Sequence, residues 1–224
     1  MSVETVQAPV GAARRPKQAR SRETRARLLD AAIVCLARDG WANATVGVIA
    51  DEAGTSRGAL QHHFPTREDL ITAALDSVFE RRAETLATVT APSGRGSREE
   101  FVVRLLVGIY SDDLFKAALQ VWTAAAADEA LRAQIVPLER KFARGVHTLA
   151  VRLLEADDGD PATHALIQAT LDMARGLGLA DVLSDDSRRR HRIAEEWAAV
   201  LADRVRTHGG RDDTTGSDGH GGRR

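Results

Sequence analysis

The stretch Ser56-Arg57-Gly58-Ala59-Leu60-Gln61-His62-His63 sets a guanidinium, a carboxamide and two imidazoles close together. An Arg fork matches the O6 and N7 of guanine, and a Gln amide matches an adenine edge or a phosphate oxygen. Four residues apart, Arg57 and Gln61 share one face if the stretch is helical, with His62 beside them. Ser56 is a residue type that opens helices, and the N–H groups behind it suit an anion. Upstream, Arg14, Arg15, Lys17, Arg20, Arg22, Arg25 and Arg27 are interrupted by a single acid, Glu23. The net charge of the whole chain is only -1, so the positive charge is local. That distribution suits a chain that touches phosphates with one end, although a solvated basic tail would carry it equally well.

Other chemistry is sparse. His62 and His63 are neighbours, and on a helix they point about 100° apart, a poor geometry for holding one ion. One is expected to meet phosphate and the other to pack or face solvent, and no metal site is expected. Cys35 is the single cysteine, which excludes an intramolecular disulfide and a multi-cysteine metal site. It lies beside an apolar stripe and reads as a small buried hydrophobe. The chain has no Gly-rich phosphate loop and no nucleophile motif, so neither an enzyme nor a cofactor is expected. No apolar run approaches the roughly 18 residues that span a bilayer, and the first residues lack the apolar core of a signal peptide. A cytoplasmic protein without membrane contact is the expectation.

The elements that must position these residues are all helical. A first helix is expected over about 20–38, where Leu28, Leu29, Ala32, Ile33, Leu36 and Ala37 form one stripe and Gly40 ends it. Thr45 caps a short helix that stops at Gly54, and Ser56 caps another that ends near His62 or His63. Two short helices about a Gly-containing turn follow the helix-turn-helix plan, whose second helix enters the major groove. Ile49, Ala53 and Leu60 are expected to pack where the two cross, with Ala50 permitting close approach. A long helix begins near Arg67. Further on, Ser97 and Glu100 read as a capping box. A helix starts at Ser111-Asp112-Asp113, and another runs from Asp128 to about Ala156, kinked or split at Pro137. Asp160-Pro161 opens a helix to about 183, and the last helix covers about 187–207. The fold class is therefore all-α with about nine helices. The expected organisation is a disordered basic arm (1–19), a helix-turn-helix domain (20–66), a larger helical domain (67–207) and a Gly- and Asp-rich disordered tail (208–224).

Residues 22–72 resemble the DNA-binding domain of TetR-type (tetracycline-repressor-like) regulators. The resemblance is carried by Thr45, Ile49, Ala50, Ala53, Gly54, Ser56, Gly58, Leu60, His63-Phe64, Arg67 and Leu70, preceded by RARLLDAAIVCLARDGWANAT. It implies three N-terminal helices for DNA and about six more for ligand binding and dimerisation. Two positions depart from the family pattern: Gln61 stands where an aromatic, often Tyr, is usual, and Thr55 stands where an apolar residue is usual. Expected DNA contacts are Arg20, Arg22, Arg25, Thr45, Thr55, Ser56, Arg57, Gly58, Gln61, His62 and Arg67. The partners the resemblance implies are a pseudo-palindromic double-stranded operator, a small-molecule effector, and a second copy of the chain docked through the last two helices.

In the larger domain Phe115, Leu119 and Trp122 share a helical face, which fits core packing or the wall of a ligand pocket. His147, Gln168 and Asp172 are polar residues on otherwise apolar helices, either satisfied core groups or groups that orient a ligand. The expected pocket lies behind the helix from Arg67, near Val78 and Phe79, is lined by Phe115, Leu119 and Trp122, and is closed by the helix carrying His147. Its scarcity of charge points to a largely apolar ligand. The resulting expectation is a sequence-specific regulator, a repressor released by such a ligand. A DNA-binding dimer without an effector, or a helical small-molecule-binding enzyme, are the alternatives.

Overall fold

The computed structural model describes residues 17–205. Among these residues run nine helices and no strand. In chain order they are α1 (Lys17–Asn43), α2 (Val46–Glu52), α3 (Arg57–His63), α4 (Arg67–Ala87), α5 (Ser97–Ile109), α6 (Asp113–Ala127), α7 (Glu129–Leu154), α8 (Pro161–Asp181) and α9 (Ser187–Arg204). Most of the expected basic arm and the expected C-terminal tail lie outside the described residues.

Helix α1 starts at Lys17, ahead of the expected residue 20, and its backbone breaks at Gly40 with φ 76° and ψ 174°. The positive φ is the one expected there, but the extended ψ lets one more turn follow, to Asn43. Leu28, Ala32, Cys35 and Leu36 are all fully buried along one stripe. Burial pushes the Cys35 thiol up, so it stays protonated, as its expected role as a small hydrophobe requires.

With seven residues each, α2 and α3 are far too short to hold together in water on their own. Local signals place them and burial holds them. Thr45 accepts a hydrogen bond from the Val48 N–H, and Ser56 accepts one from Ala59. The turn between them is closed by the Thr55 N–H on Ala50 O at 2.9 Å, with Gly54 at φ 60°. Ile49, Ala50 and Leu60 have no exposure. Truncating a residue such as Leu60 costs about 2–5 kcal/mol, against about 1 kcal/mol for a lost cap, so packing is the larger effect.

Three features differ from the sequence expectation. The cap of α5 is Gly96, at φ 88°, whose N–H donates to the buried Glu99 carboxylate at 2.6 Å; Ser97 is already helical. Helix α7 runs through Pro137 as one element. The missing N–H would have bonded the Ala133 carbonyl, and both residues are exposed, so water can satisfy that oxygen. Helix α7 stops at Leu154 because Glu155 takes a left-handed conformation.

The apolar residues form two clusters. The first joins α1–α4 to Leu114, Ala117, Ala118, Val121 and Ala125 of α6 and to Leu131 and Ile135 of α7. It therefore continues past residue 66, where the DNA-binding unit was expected to end. The second joins α5, α8, α9 and the rest of α7. Trp122 and Phe142 pack against both.

The tightest approach in the second cluster is at Gly178 of α8. A Cβ there would lie 2.7 Å from the carbonyl carbon of Tyr110 and closer still to its oxygen, with Phe115 Cε1 at 3.0 Å. Gly178→Ala should therefore destabilise the protein by about 1–3 kcal/mol through a forced backbone shift. Gly108→Ala on α5, which meets nothing within 4 Å, should gain up to about 1 kcal/mol of helix propensity. Urea unfolding at one protein concentration checks both; equal midpoints would contradict the account.

Candidate nucleic-acid interface and adjoining cavity

The α3 side chains expected to read bases lie on the surface. Arg57, Gly58, Gln61 and His62 are exposed, His63 is half-buried, and Leu60 anchors the opposite face. The Arg57 guanidinium folds back over α2, where a Cβ on Gly47 would come 2.9 Å from its Nε. It has to swing outward to reach a base. Thr45 and Ser56 are exposed at the starts of α2 and α3, their hydroxyls already accepting backbone N–H bonds. Thr55 is half-buried in the turn.

Helix α1 brings a second set of cations to the same end of the molecule. Arg20, Arg22 and Arg25 are exposed, and the Arg25 guanidinium lies 5.2 Å from the Phe64 ring centroid, at the end of α3. Arg27, not among the expected contacts, is also exposed, with Nη1 3.9 Å from where a Cβ on Gly54 would be. It adds a charge beside the α2–α3 turn, which only the three-dimensional approach reveals.

Arg67, expected to meet phosphate, also makes contacts within the fold. Its guanidinium stacks 4.2 Å from the Trp41 ring centroid, donates from Nη1 to Trp41 O at 3.0 Å and pairs with Glu68 at 3.3 Å. From the other side, Gln120 Oε1 of α6 accepts the Trp41 N–H at 3.3 Å. The last turn of α1 is thus held between α4 and α6. Helix α4 itself starts on a full capping box, with the Asp69 N–H donating to the Thr66 hydroxyl and the Thr66 N–H to the Asp69 carboxylate.

Farther along α4, its second half and α7 flank a cavity of about 590 Å³ that is open on one side. This lies within the range of about 300–1,000 Å³ usual for small-molecule sites. Phe79, Phe142, Val146, Leu149 and Leu86 supply apolar lining, with the Phe79 and Phe142 rings stacked at 4.5 Å. The rim is charged but largely paired. Lys141 bridges Asp76 and Glu80 at 2.9 and 2.8 Å, which raises its pKa, and Arg82 pairs with Asp112. Arg152 donates to the carbonyls of Val89 and Leu86.

Of the residues expected at a pocket, Phe79 lines this cavity. Val78, Leu119 and Trp122 are half-buried in packing contacts, and Phe115 is buried. Phe115 meets Trp122 edge-on at 6.0 Å and Tyr110 at 5.4 Å, and Tyr110 meets Phe142 at 6.2 Å. An unbroken row of rings therefore joins the expected aromatic face to the cavity floor. His147, Gln168 and Asp172 lie elsewhere. His147 Nε2 and His164 Nδ1 both stand 2.9 Å from Asp158 Oδ1, and Gln168 Nε2 stands 3.1 Å from His147 Nδ1. Asp172 is exposed and pairs with Arg175 at 3.2 Å. The sequence reading weighed His62 and His63 together and missed His147 with His164, which only the α7–α8 corner unites.

The family model for bacterial regulatory proteins of the tetR family matches residues 28–74, the segment from the buried half of α1 into α4. An uncharacterised HTH-type transcriptional regulator of Mycobacterium bovis is 30% identical over 159 residues, covering 70% of this chain and 81% of its own. The HTH-type transcriptional regulator CymR of Pseudomonas putida is 27% identical over 85% of this chain and 95% of its own. A solved transcriptional regulator of Rhodococcus sp. Rha1 superposes with a TM-score of 0.62 at 21% identity, over 81% of this chain and 97% of its own. These relatives are regulators, not enzymes. No helix among the described residues is long and apolar enough to cross a membrane. With the helix-turn-helix built from matching residues and the relatives aligned well beyond it, the chain belongs to the TetR family of DNA-binding transcriptional regulators.

Proposed function

We propose that this protein is a repressor whose dimer binds a pseudo-palindromic operator through α3 and leaves it when a small, largely apolar ligand enters the α4–α7 cavity. The observation that carries the reading is the course of α4. Its first half buries Leu70, Ile71, Ala74 and Leu75 in the core that holds the helix-turn-helix, and its second half forms one wall of the cavity. A ligand that separates Phe79 from Phe142 tilts this rod. Because Arg67 grips the last turn of α1, the tilt carries α1–α3 with it. The ligand must bind the tilted state better than the DNA-bound one, or nothing shifts.

Dimerisation through α8 and α9 is supported by their exposed apolar side chains. Leu179 of α8, Val200 of α9, and Val182 and Leu183 in the connection between them are open to solvent, and the small residues Ala162, Ala165, Ala169 and Gly176 are exposed along α8. Small residues let a second helix approach closely, and a two-fold axis mirrors two operator half-sites. The alternative of a dimer without an effector leaves the apolar cavity unexplained. In the proposed DNA contact, Arg57, Gln61 and His62 face bases. Arg20, Arg22, Arg25, Arg27, Thr45, Thr55 and Ser56 face the backbone, and exposed Gly58 permits close approach.

Arg57→Ala should weaken binding to the cognate operator by about 1–3 kcal/mol and relax one base position in each half-site, measured by competition with a half-site library. An equal loss on every sequence would make Arg57 a phosphate contact only. The cavity is tested at Gly145, one of its lining residues, where an added Cβ meets nothing within 4 Å. Gly145→Leu should retain operator binding in a gel shift. A compound from a panel of small apolar molecules that releases the natural protein should fail on this variant. Release at the same concentration would place the effector elsewhere.

A further inference from the structure

His147 comes from the last third of α7, His164 from the first turns of α8, and Asp158 from the turn between them. The turn is built by other groups. Ala156 N–H donates to Val151 O at 3.0 Å, Gly159 N–H to Asp157 Oδ1 at 3.1 Å, and Thr163 N–H and hydroxyl to Asp160 at 3.0 and 2.7 Å. Asp158 has no part in those backbone bonds. Its Oδ1 stands between the two imidazoles, and the three candidate ligand atoms lie within 4.8 Å of one another.

We infer that His147, Asp158 and His164 bind one divalent transition-metal ion of the zinc class per chain. Two imidazoles and one carboxylate are the donor set such ions take, with bonds of about 2.0–2.2 Å, whereas magnesium and calcium favour all-oxygen sites. Tetrahedral bonds of that length separate ligand atoms by about 3.3 Å. Each imidazole nitrogen already lies 2.9 Å from the carboxylate oxygen, so small side-chain rotations open the site. The His147 side chain is 13% exposed, while those of His164 and Asp158 are 48% and 38% exposed. One anchor is therefore fixed, and the open side admits the ion and a water to complete its shell.

Gln168 supplies the outer support such a site needs. Its amide faces His147 Nδ1 at 3.1 Å. When Nε2 binds the ion, Nδ1 carries the proton and donates it to the amide oxygen; the amide turns over to do so, which costs it no partner. Three carboxylates in the turn, Asp157, Asp158 and Asp160, add negative potential at the corner. An ion there ties α7, which lines the cavity, to α8. This inference does not rest on the effector reading.

The test uses the full-length, tag-free, metal-stripped chain titrated with zinc alone by calorimetry, with thermal unfolding in parallel. The surface histidines can also take up zinc, so the readout is the difference between variants. The natural chain should bind one ion more than His164→Asn or Asp158→Asn and show a rise in Tm that both lack. His191→Asn should keep that ion, and magnesium or calcium should give no rise. Gln168→Ala, on the exposed side of α8, should retain the ion with an affinity lowered about 10–100-fold. Equal zinc stoichiometry and affinity in the natural chain and His164→Asn, or an equal Tm rise with calcium, overturns the inference and leaves a hydrogen-bonded corner. Circular dichroism shows that each variant is folded.

Discussion

Helix α4 is the constraint on which the rest depends. It has 21 residues, about 30 Å of rod, fixed at its start by the Thr66–Asp69 capping box and by Arg67 against Trp41. A helix transmits displacement along its axis because bending it breaks backbone hydrogen bonds, whereas a loop would absorb the same push. Its first half is packed into the core of the DNA-binding helices, so those helices go where α4 goes. Arg81 adds a tie to Asp30 of α1 at 2.6 Å, but both side chains are more than half exposed, and such pairs contribute little. The buried leucines hold the assembly.

The two apolar cores meet at few side chains, and these are aromatic. Trp122 and Phe142 touch both, and the row Trp122–Phe115–Tyr110–Phe142–Phe79 runs from α6 to the cavity floor. Gln120, two residues before Trp122, holds the last turn of α1. Both α4 and α6 therefore run between the cavity region and the base of the helix-turn-helix.

What was legible in the sequence was what is decided locally. Thr45, Ser56, Asp112 and Asp160 cap the helices their types announce, because a cap needs only a short oxygen and the next three residues. The stripe of α1 and the crossing of α2 on α3 follow from apolar spacing alone. Where two local readings differ by one residue, three-dimensional context decides: Glu99 can bury itself against the Gly96 N–H, and the expected Glu100 pairs outward with Arg104. Pro137 reads as a break until its exposure is known. The long-range pairings were hidden. Nothing in the spacing reveals that Arg67 sits under Trp41, that Phe142 rather than Leu119 faces the cavity, or that His147 meets His164 across a corner. Each depends on where a helix lies relative to a partner distant in sequence.

The account's central claim is that a small molecule between α4 and α7 changes the separation of the two α3 helices in the dimer. Pulsed electron paramagnetic resonance on an Asp51→Cys variant reports that separation, since α2 is packed on α3, Asp51 is exposed and outside the proposed DNA contact, and Cys35 is buried and leaves the new thiol as the accessible label site. The account predicts a distance distribution compatible with the groove repeat of about 34–36 Å when operator is bound, and a displaced distribution when a DNA-releasing compound is added. Release of the operator with an unchanged distribution would contradict it.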